Sequence, residues 1–115
     1  MLKKLILTGV CLFMAQQVLA KDTTELLDVR TQAEWDEKHI DGSTLIDFKK
    51  ADFKEQIAKL DKEKSYQVFC RSGNRSGSAL TIMKELGFKN VSNGGSVEDV
   101  LAKTKGKCVG PKCGG

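Results

Sequence analysis

No apolar run in this sequence is long enough to cross a bilayer. The stretch from Leu5 to Met14 falls far short of the ~20 residues that a spanning helix needs, and Gln16 and Gln17 prevent its extension. A strong excess of one charge is missing as well, since 19 basic residues face 15 acidic ones. The interleaved charges of KKADFKEQIAKLDKEK read as a solvated helix face, so nucleic acid and anionic membranes are not expected partners. Internal repeats, low-complexity tracts and linkers ahead of the C-terminal tail are all absent, which points to one small domain. The chain has a single histidine, His39, and no C-x-x-C spacing. A thioredoxin-type dithiol site is thereby excluded. Zinc is poorly supplied too, because the C-x4-C of Cys108 and Cys113 offers only two ligands.

What is present starts with an export leader. Lys3 and Lys4 form a basic start, Leu5 to Met14 an apolar run, and Val18-Leu19-Ala20 a small-residue cleavage site. Cleavage after Ala20 takes 20 of the 115 residues, leaving 95, and lowers the formal charge from +4 to +2 by removing two lysines. Residues 1–20 are therefore read as a signal peptide, 21–104 as the domain and 105–115 as a tail. The expected compartment is the periplasm, with no stable membrane insertion after cleavage. Cys11 leaves with the leader, so Cys70, Cys108 and Cys113 remain. An odd number in an exported chain leaves one thiol over. Cys108 and Cys113 are neighbours across the turn-prone Gly110-Pro111, and a local disulfide between them is the leading reading. Cys70 is then the free thiol.

Apolar β-rich runs occur at 25–29 (ELLDV), 44–47 (TLID), 66–70 (YQVFC) and 89–93 (KNVSN). Helical signals separate them. Thr31 and Glu34 suit a capping box for a short helix carrying Trp35, which is expected in the core. Asp52 and Glu55 repeat that pattern ahead of Phe53, Ile57 and Leu60. Ala79, Met83 and Leu86 share a helical face, and Gly87 sits where a left-handed C-cap belongs. Strands alternating with helices imply an α/β fold, a small parallel sheet of four to five strands flanked by helices.

In that order Cys70 ends a buried strand, and CRSGNRS leads into a helix beginning near Arg75 or Ser76. Ligands of open α/β sheets bind beyond the carboxyl ends of the strands. Gly73 and Gly77 let the backbone curl so that several N–H groups face one hollow, and the helix adds its positive end. Thiolates at helix N-termini have pKa values lowered to ~3.5–7.5. Arg71 and Arg75 add fixed charge suited to a tetrahedral oxyanion. The chemistry is that of an anionic sulfur nucleophile beside a site for an anionic substrate. A cysteine phosphatase would need C-x5-R to ring a phosphoryl group. Here Cys70 to Arg75 spells C-x4-R, and position 76 is serine. The loop is one residue too short for that grip.

A loop of this length resembles the active-site loop of the rhodanese family. The resemblance extends upstream through LLDVRTQAEWDEKHIDGSTLID and downstream through GFKNVSNGG, covering residues 25 to about 103. It is most similar to the periplasmic, single-domain phage-shock-protein-E type. The resemblance implies a thiosulfate sulfurtransferase in which Cys70 is the nucleophile and becomes a persulfide. Arg71, Ser72, Gly73, Asn74, Arg75 and Ser76 would form the substrate loop. The donor would be thiosulfate, the acceptor cyanide or a thiol, and neither cofactor nor metal is implied. Asp28, Arg30 and His39 would support the site structurally, His39 from the end of the first short helix.

The two extra cysteines of KGKCVGPKCGG depart from the family pattern, and a tail thiol taking sulfur from Cys70 is a second reading of them. For the whole chain the alternative is a non-catalytic sulfur carrier or partner-binding module. Oligomeric state is not legible.

Overall fold

The computed structural model describes residues 24–114. The expected leader, with Cys11 and the cleavage site after Ala20, lies outside the described residues. The elements run β1 (Thr24–Asp28), α1 (Gln32–Glu37), β2 (His39–Ile40), β3 (Thr44–Leu45), α2 (Phe53–Ala58), β4 (Ser65–Cys70), α3 (Asn74–Glu85), β5 (Asn90–Ser96), α4 (Val97–Thr104) and β6 (Cys108–Val109). β3, β1, β4 and β5 lie side by side in that order and pair in parallel throughout. The α/β architecture expected from the sequence is the observed one, and β4, which carries Cys70, has a neighbour on each side.

Alternation along the strands divides the core between the two faces of the sheet. Leu27, Val29, Val68 and Cys70 face Phe53 and Ile57 of α2 and Ala79 and Met83 of α3. Leu26 and Phe69 point the other way, toward Ile40 and toward Val97 and Val100 of α4. Burying each of these large apolar side chains contributes ~1.5–3 kcal/mol. α3 ends in a Schellman motif: Gly87, at φ +100°, and Phe88 donate backbone bonds to Lys84 O and Met83 O at 3.1 and 3.0 Å.

Several local expectations need correction. Thr31 and Glu34 do close a capping box on α1, but that helix buries no residue. Trp35 is only half-buried, stacked on the His39 ring at 3.9 Å rather than in the core. Asp52 makes no capping bond, because its backbone (φ −94°, ψ 17°) lies outside the extended region a capping side chain needs. α3 begins at Asn74, slightly earlier than expected, because left-handed Gly73 (φ +95°) turns the chain at once. β5 runs through the double glycine to Ser96, with a bulge where Val68 pairs Asn93 and Phe69 pairs Gly95. Gly95 has φ +86°, and a Cβ there would sit 2.7 Å from Asp99 Oδ2, so the bulge requires glycine.

The tail belongs to the fold. β6 pairs antiparallel with β2, matching His39 with Val109 and Ile40 with Cys108. Asp41 N donates to Lys107 O at 2.8 Å, and Lys112 N to Glu37 O at 2.9 Å. A disulfide joins Cys108 and Cys113. Gly110 lies against α1, where a Cβ would come within 2.5 Å of Glu37 O. His39 accordingly opens a strand rather than ending the first helix.

Candidate active site

Cys70 closes β4 and is fully covered, with an exposure of 0%. The chain reverses directly after it, and Gly73 N donates to Cys70 Sγ at 3.0 Å. Ser76, also buried, lies in the first turn of α3 with Oγ 3.5 Å from the sulfur. Residues 70–76 thus fold back over their own sulfur, as a strand that ends in a left-handed glycine and a helix start dictates. Arg71, Ser72 and Asn74 remain exposed on the outside of the loop.

Two opposing effects act on the thiol. Burial raises its pKa, while the contact with Ser76 Oγ and hydrogen bonds from the backbone N–H groups of Ser76, Ser72 and Gly73 lower it. The donors win, and Cys70 ionises below the ordinary thiol value. The lowered pKa enlarges the thiolate fraction at any given pH below it.

Asn93 holds this arrangement from the neighbouring strand. Its Oδ1 accepts from Ser76 Oγ at 2.8 Å and from Gly95 N at 2.9 Å, and its Nδ2 donates to Gly73 O at 3.1 Å. Reading the sequence assigned Asn93 no role beyond strand β5. The available signal was its position, a polar residue just before Gly-Gly in the strand that follows the cysteine loop and its helix.

Glu34 has a role at the site that its local sequence does not announce. Besides closing its capping box, it receives Arg75 in a forked pair, Nη1 to Oε1 at 2.9 Å and Nη2 to Oε2 at 3.1 Å. The hydrogen bond from Arg75 holds the Glu34 carboxyl at a pKa of about 2 against the opposing effect of burial. Arg75 is therefore committed to α1, and its guanidinium ties the start of α3 to the start of α1 instead of standing open for an oxyanion. Below the loop, the Arg30 guanidinium grips Asp28 (Nη2 to Oδ2 at 2.8 Å) and also donates to Lys38 O at 2.7 Å. His39 Nδ1 lies 2.9 Å from Trp35 O, and its ring stacks on Trp35. None of Asp28, Arg30 and His39 has a hydrogen bond to Cys70.

Arg71 points into a pocket of about 300 Å³ beside the loop, whose other walls include Glu34 and Glu37 of α1, Glu98 of α4 and Lys112 of the tail. Cys70 does not line it. The tail sulfurs are bonded to each other, so neither is a thiol in this form. Among the described residues no cluster of three or more His, Cys, Asp or Glu side chains is placed to hold a metal.

Residues 14–100 match the rhodanese-like domain family. The chain is 35% identical over 83 residues to the thiosulfate sulfurtransferase PspE of Escherichia coli (strain K12), spanning 70% of this chain and 78% of that one. It is 34% identical over 92 residues to a putative sulfurtransferase, YtwF, of Bacillus subtilis (strain 168), spanning 80% and 87%. Among solved structures, an E. coli rhodanese with anions superposes with a TM-score of 0.64 at 27% identity, covering 77% of this chain and all of that one. The chain belongs to the rhodanese-like domain family of sulfurtransferases.

Proposed function

We propose that this chain is a periplasmic thiosulfate sulfurtransferase working through a persulfide on Cys70. The observation that carries the reading is the sulfur itself, buried at the carboxyl end of β4 under donors that lower its pKa. A preformed thiolate attacks the outer sulfur of thiosulfate. The new S–S bond forms as the old one breaks, and sulfite leaves with the electron pair. The outer sulfur of the persulfide then carries the negative charge. Cyanide or a thiolate attacks it, and Cys70 takes back its electron pair. This is double displacement with a covalent intermediate.

In this reading the N–H groups of Ser72, Gly73 and Ser76 stabilise charge on sulfur in every state, and Asn74 starts the helix whose positive end faces the site. Arg71 supplies the mobile cation for an anionic donor. Arg75 positions the loop through Glu34. Asp28 and Arg30 brace the floor of the site, and His39 braces the strand that receives the tail. In this reading residues 1–20 direct export and are then removed, leaving the domain of 21–104 with its tail at 105–115.

The decisive experiment is mass measurement after incubation with thiosulfate. A gain of one sulfur atom that maps to Cys70 is expected, followed by repeated turnover with cyanide. A protein that loads once and then stalls is a carrier rather than an enzyme, and one that never loads is neither.

A further inference from the structure

The pocket beside the loop is where the family-like domain and the tail meet. Its volume of about 300 Å³ is on the scale of sites for small organic ligands, roughly 300–1,000 Å³, and is more than thiosulfate fills. Four cations, Arg30, Lys38, Arg71 and Lys112, line it against three carboxylates, Glu34, Glu37 and Glu98. Each carboxylate has a cationic partner: Glu34 pairs with Arg75, Glu98 with Lys38, and Glu37 with Lys112. Arg30 is taken by Asp28. Arg71 forms no salt bridge among the described residues, and it is the residue next to Cys70. The pocket thus carries an uncompensated positive charge at the residue that follows Cys70 in the chain.

Lys112 is held by its backbone and exposed at its tip. Cys113, next to it, is tied to Cys108, and Cys108 pairs with Ile40. Lys112 N donates to Glu37 O at 2.9 Å, and Gly110 fits against α1 where a side chain would collide. The ammonium, by contrast, meets Glu37 in an open pair, with side-chain exposures of 64% and 52%. Such a pair contributes little in water and is readily exchanged for a ligand's carboxylate.

We infer that this pocket receives the sulfur acceptor, a small thiol bearing a carboxylate, and that Lys112 on the disulfide-closed tail selects it by charge together with Arg71. The inference rests on the persulfide reading above and adds the acceptor class to it. The carboxylate binds between Arg71 and Lys112, leaving the acceptor's sulfur toward the loop. Its thiolate attacks the outer sulfur of the Cys70 persulfide, the bond between that sulfur and Sγ breaks, and Cys70 keeps the electron pair. The acceptor leaves as its own persulfide. The family match ends at residue 100, so this wall of the pocket comes from a segment beyond the shared pattern.

The test separates loading from discharge. Protein loaded with thiosulfate is verified by mass, then mixed with 3-mercaptopropionate, 2-mercaptoethanol or cysteamine, which are similar in size but anionic, neutral and cationic. Discharge rates are compared per thiolate present. The anionic thiol is expected to be fastest and the cationic one slowest. Lys112→Glu should lower the anionic-to-neutral ratio by roughly tenfold, the loss and reversal of one charged contact. Lys112→Arg should keep the ratio, and Cys108→Ser/Cys113→Ser should lower it by releasing the tail. If the protein never loads, the sulfur-transfer reading falls and this inference with it. Should loading succeed while Lys112→Glu leaves the ratio unchanged, the acceptor pocket alone is refuted.

Discussion

The loop of residues 70–76 and the tail of residues 105–114 both hold a short irregular segment in place, by opposite means. The loop turns its donors inward. Gly73 N reaches Cys70 Sγ, and Asn93 spans Ser76 Oγ and Gly73 O. The bonds that fix its shape also set the charge on sulfur, so rigidity and chemistry cannot be separated there. The tail is held by a disulfide and a two-residue ladder, while its side chains stay largely exposed. Its fastening can be cut without touching Cys70. A chain can therefore acquire a new wall for its site through the tail at little risk to the loop.

The largest expected effect breaks the loop's chemistry and spares its shape. Cys70→Ser should abolish persulfide formation completely, because a hydroxyl stays protonated where a thiol ionises. The serine can still accept from Gly73 N, so thermal melting should move by only a few degrees. Measurable sulfur loading in this variant would overturn the mechanism.

Ser76→Ala removes the hydroxyl beside the sulfur, whose single proton serves either Sγ or Asn93 Oδ1, and keeps the backbone donors. A hydrogen bond to a charged acceptor contributes about 1.5–3 kcal/mol, so losing one raises the Cys70 pKa. The loading rate tracks the thiolate fraction, so it falls as pH drops through the folded-state pKa, and the variant's profile should shift to higher pH. The linked stability has the same sense. A lowered thiol pKa adds stability above the unfolded value, near 8.5, and that stability is lost as pH falls through the folded value. A stopped-flow loading profile from pH 5 to 9 that did not move would show that the backbone N–H groups act alone.

How much of the molecule was legible in the sequence depends on the range of the interactions involved. The Thr31–Glu34 capping box, the Gly87 cap and the loop after Cys70 depend on residues a few positions apart, and all could be read directly. The partnership of Arg75 with Glu34 spans 41 residues, and that of Asn93 with Ser76 spans 17. No local pattern announces either one, since both exist only after β1, β4 and β5 align. The same reason hid the tail's docking on β2. The failure at Asp52 was different, since residue types that fit a capping box met a backbone that had already turned. Trp35 was misplaced because aromatic residues are usually buried, whereas α1 packs through backbone and ion pairs.

Arg75→Ala sharpens the comparison at intermediate size. A cation that read substrate would matter more for dianionic thiosulfate than for a neutral persulfide donor. Paired with Glu34 as it is, Arg75 should support both donors equally, with a loss of about three- to tenfold as α3 loosens. Glu34→Gln should show the same indifference to donor charge. Because Glu34 ionises at about 2, the bridge's full contribution is present above the usual carboxylate value and is lost progressively as pH falls from there through about 2. Acidification to pH 4 should leave the bridge formed and already remove part of that contribution. A loss confined to thiosulfate would return Arg75 to substrate binding.

The smallest effect on Cys70 belongs to the tail. Cys108 and Cys113 are five positions apart, and closing so short a ring restricts the unfolded chain by about 2 kcal/mol at most. An isolated tail would keep that effect to itself. This tail also pairs with β2 and donates to the Glu37 carbonyl, so part of the effect should reach the domain through α1. Replacing both cysteines with serine should lower the melting temperature by a few degrees, less than the full ~2 kcal/mol implies, because the tail can open before the sheet does. Hydrogen exchange locates the loss. Asp41 N and Lys112 N, bonded to Lys107 O and Glu37 O, should exchange much faster in the variant, while Val29 N, bonded to Phe69 O inside the sheet, should keep its protection. Loading of Cys70 by thiosulfate should stay within about twofold, since no bond of the loop depends on the tail. If Val29 lost protection together with Asp41, the tail and the sheet would be one cooperative unit, and the separation between loop and tail would fail.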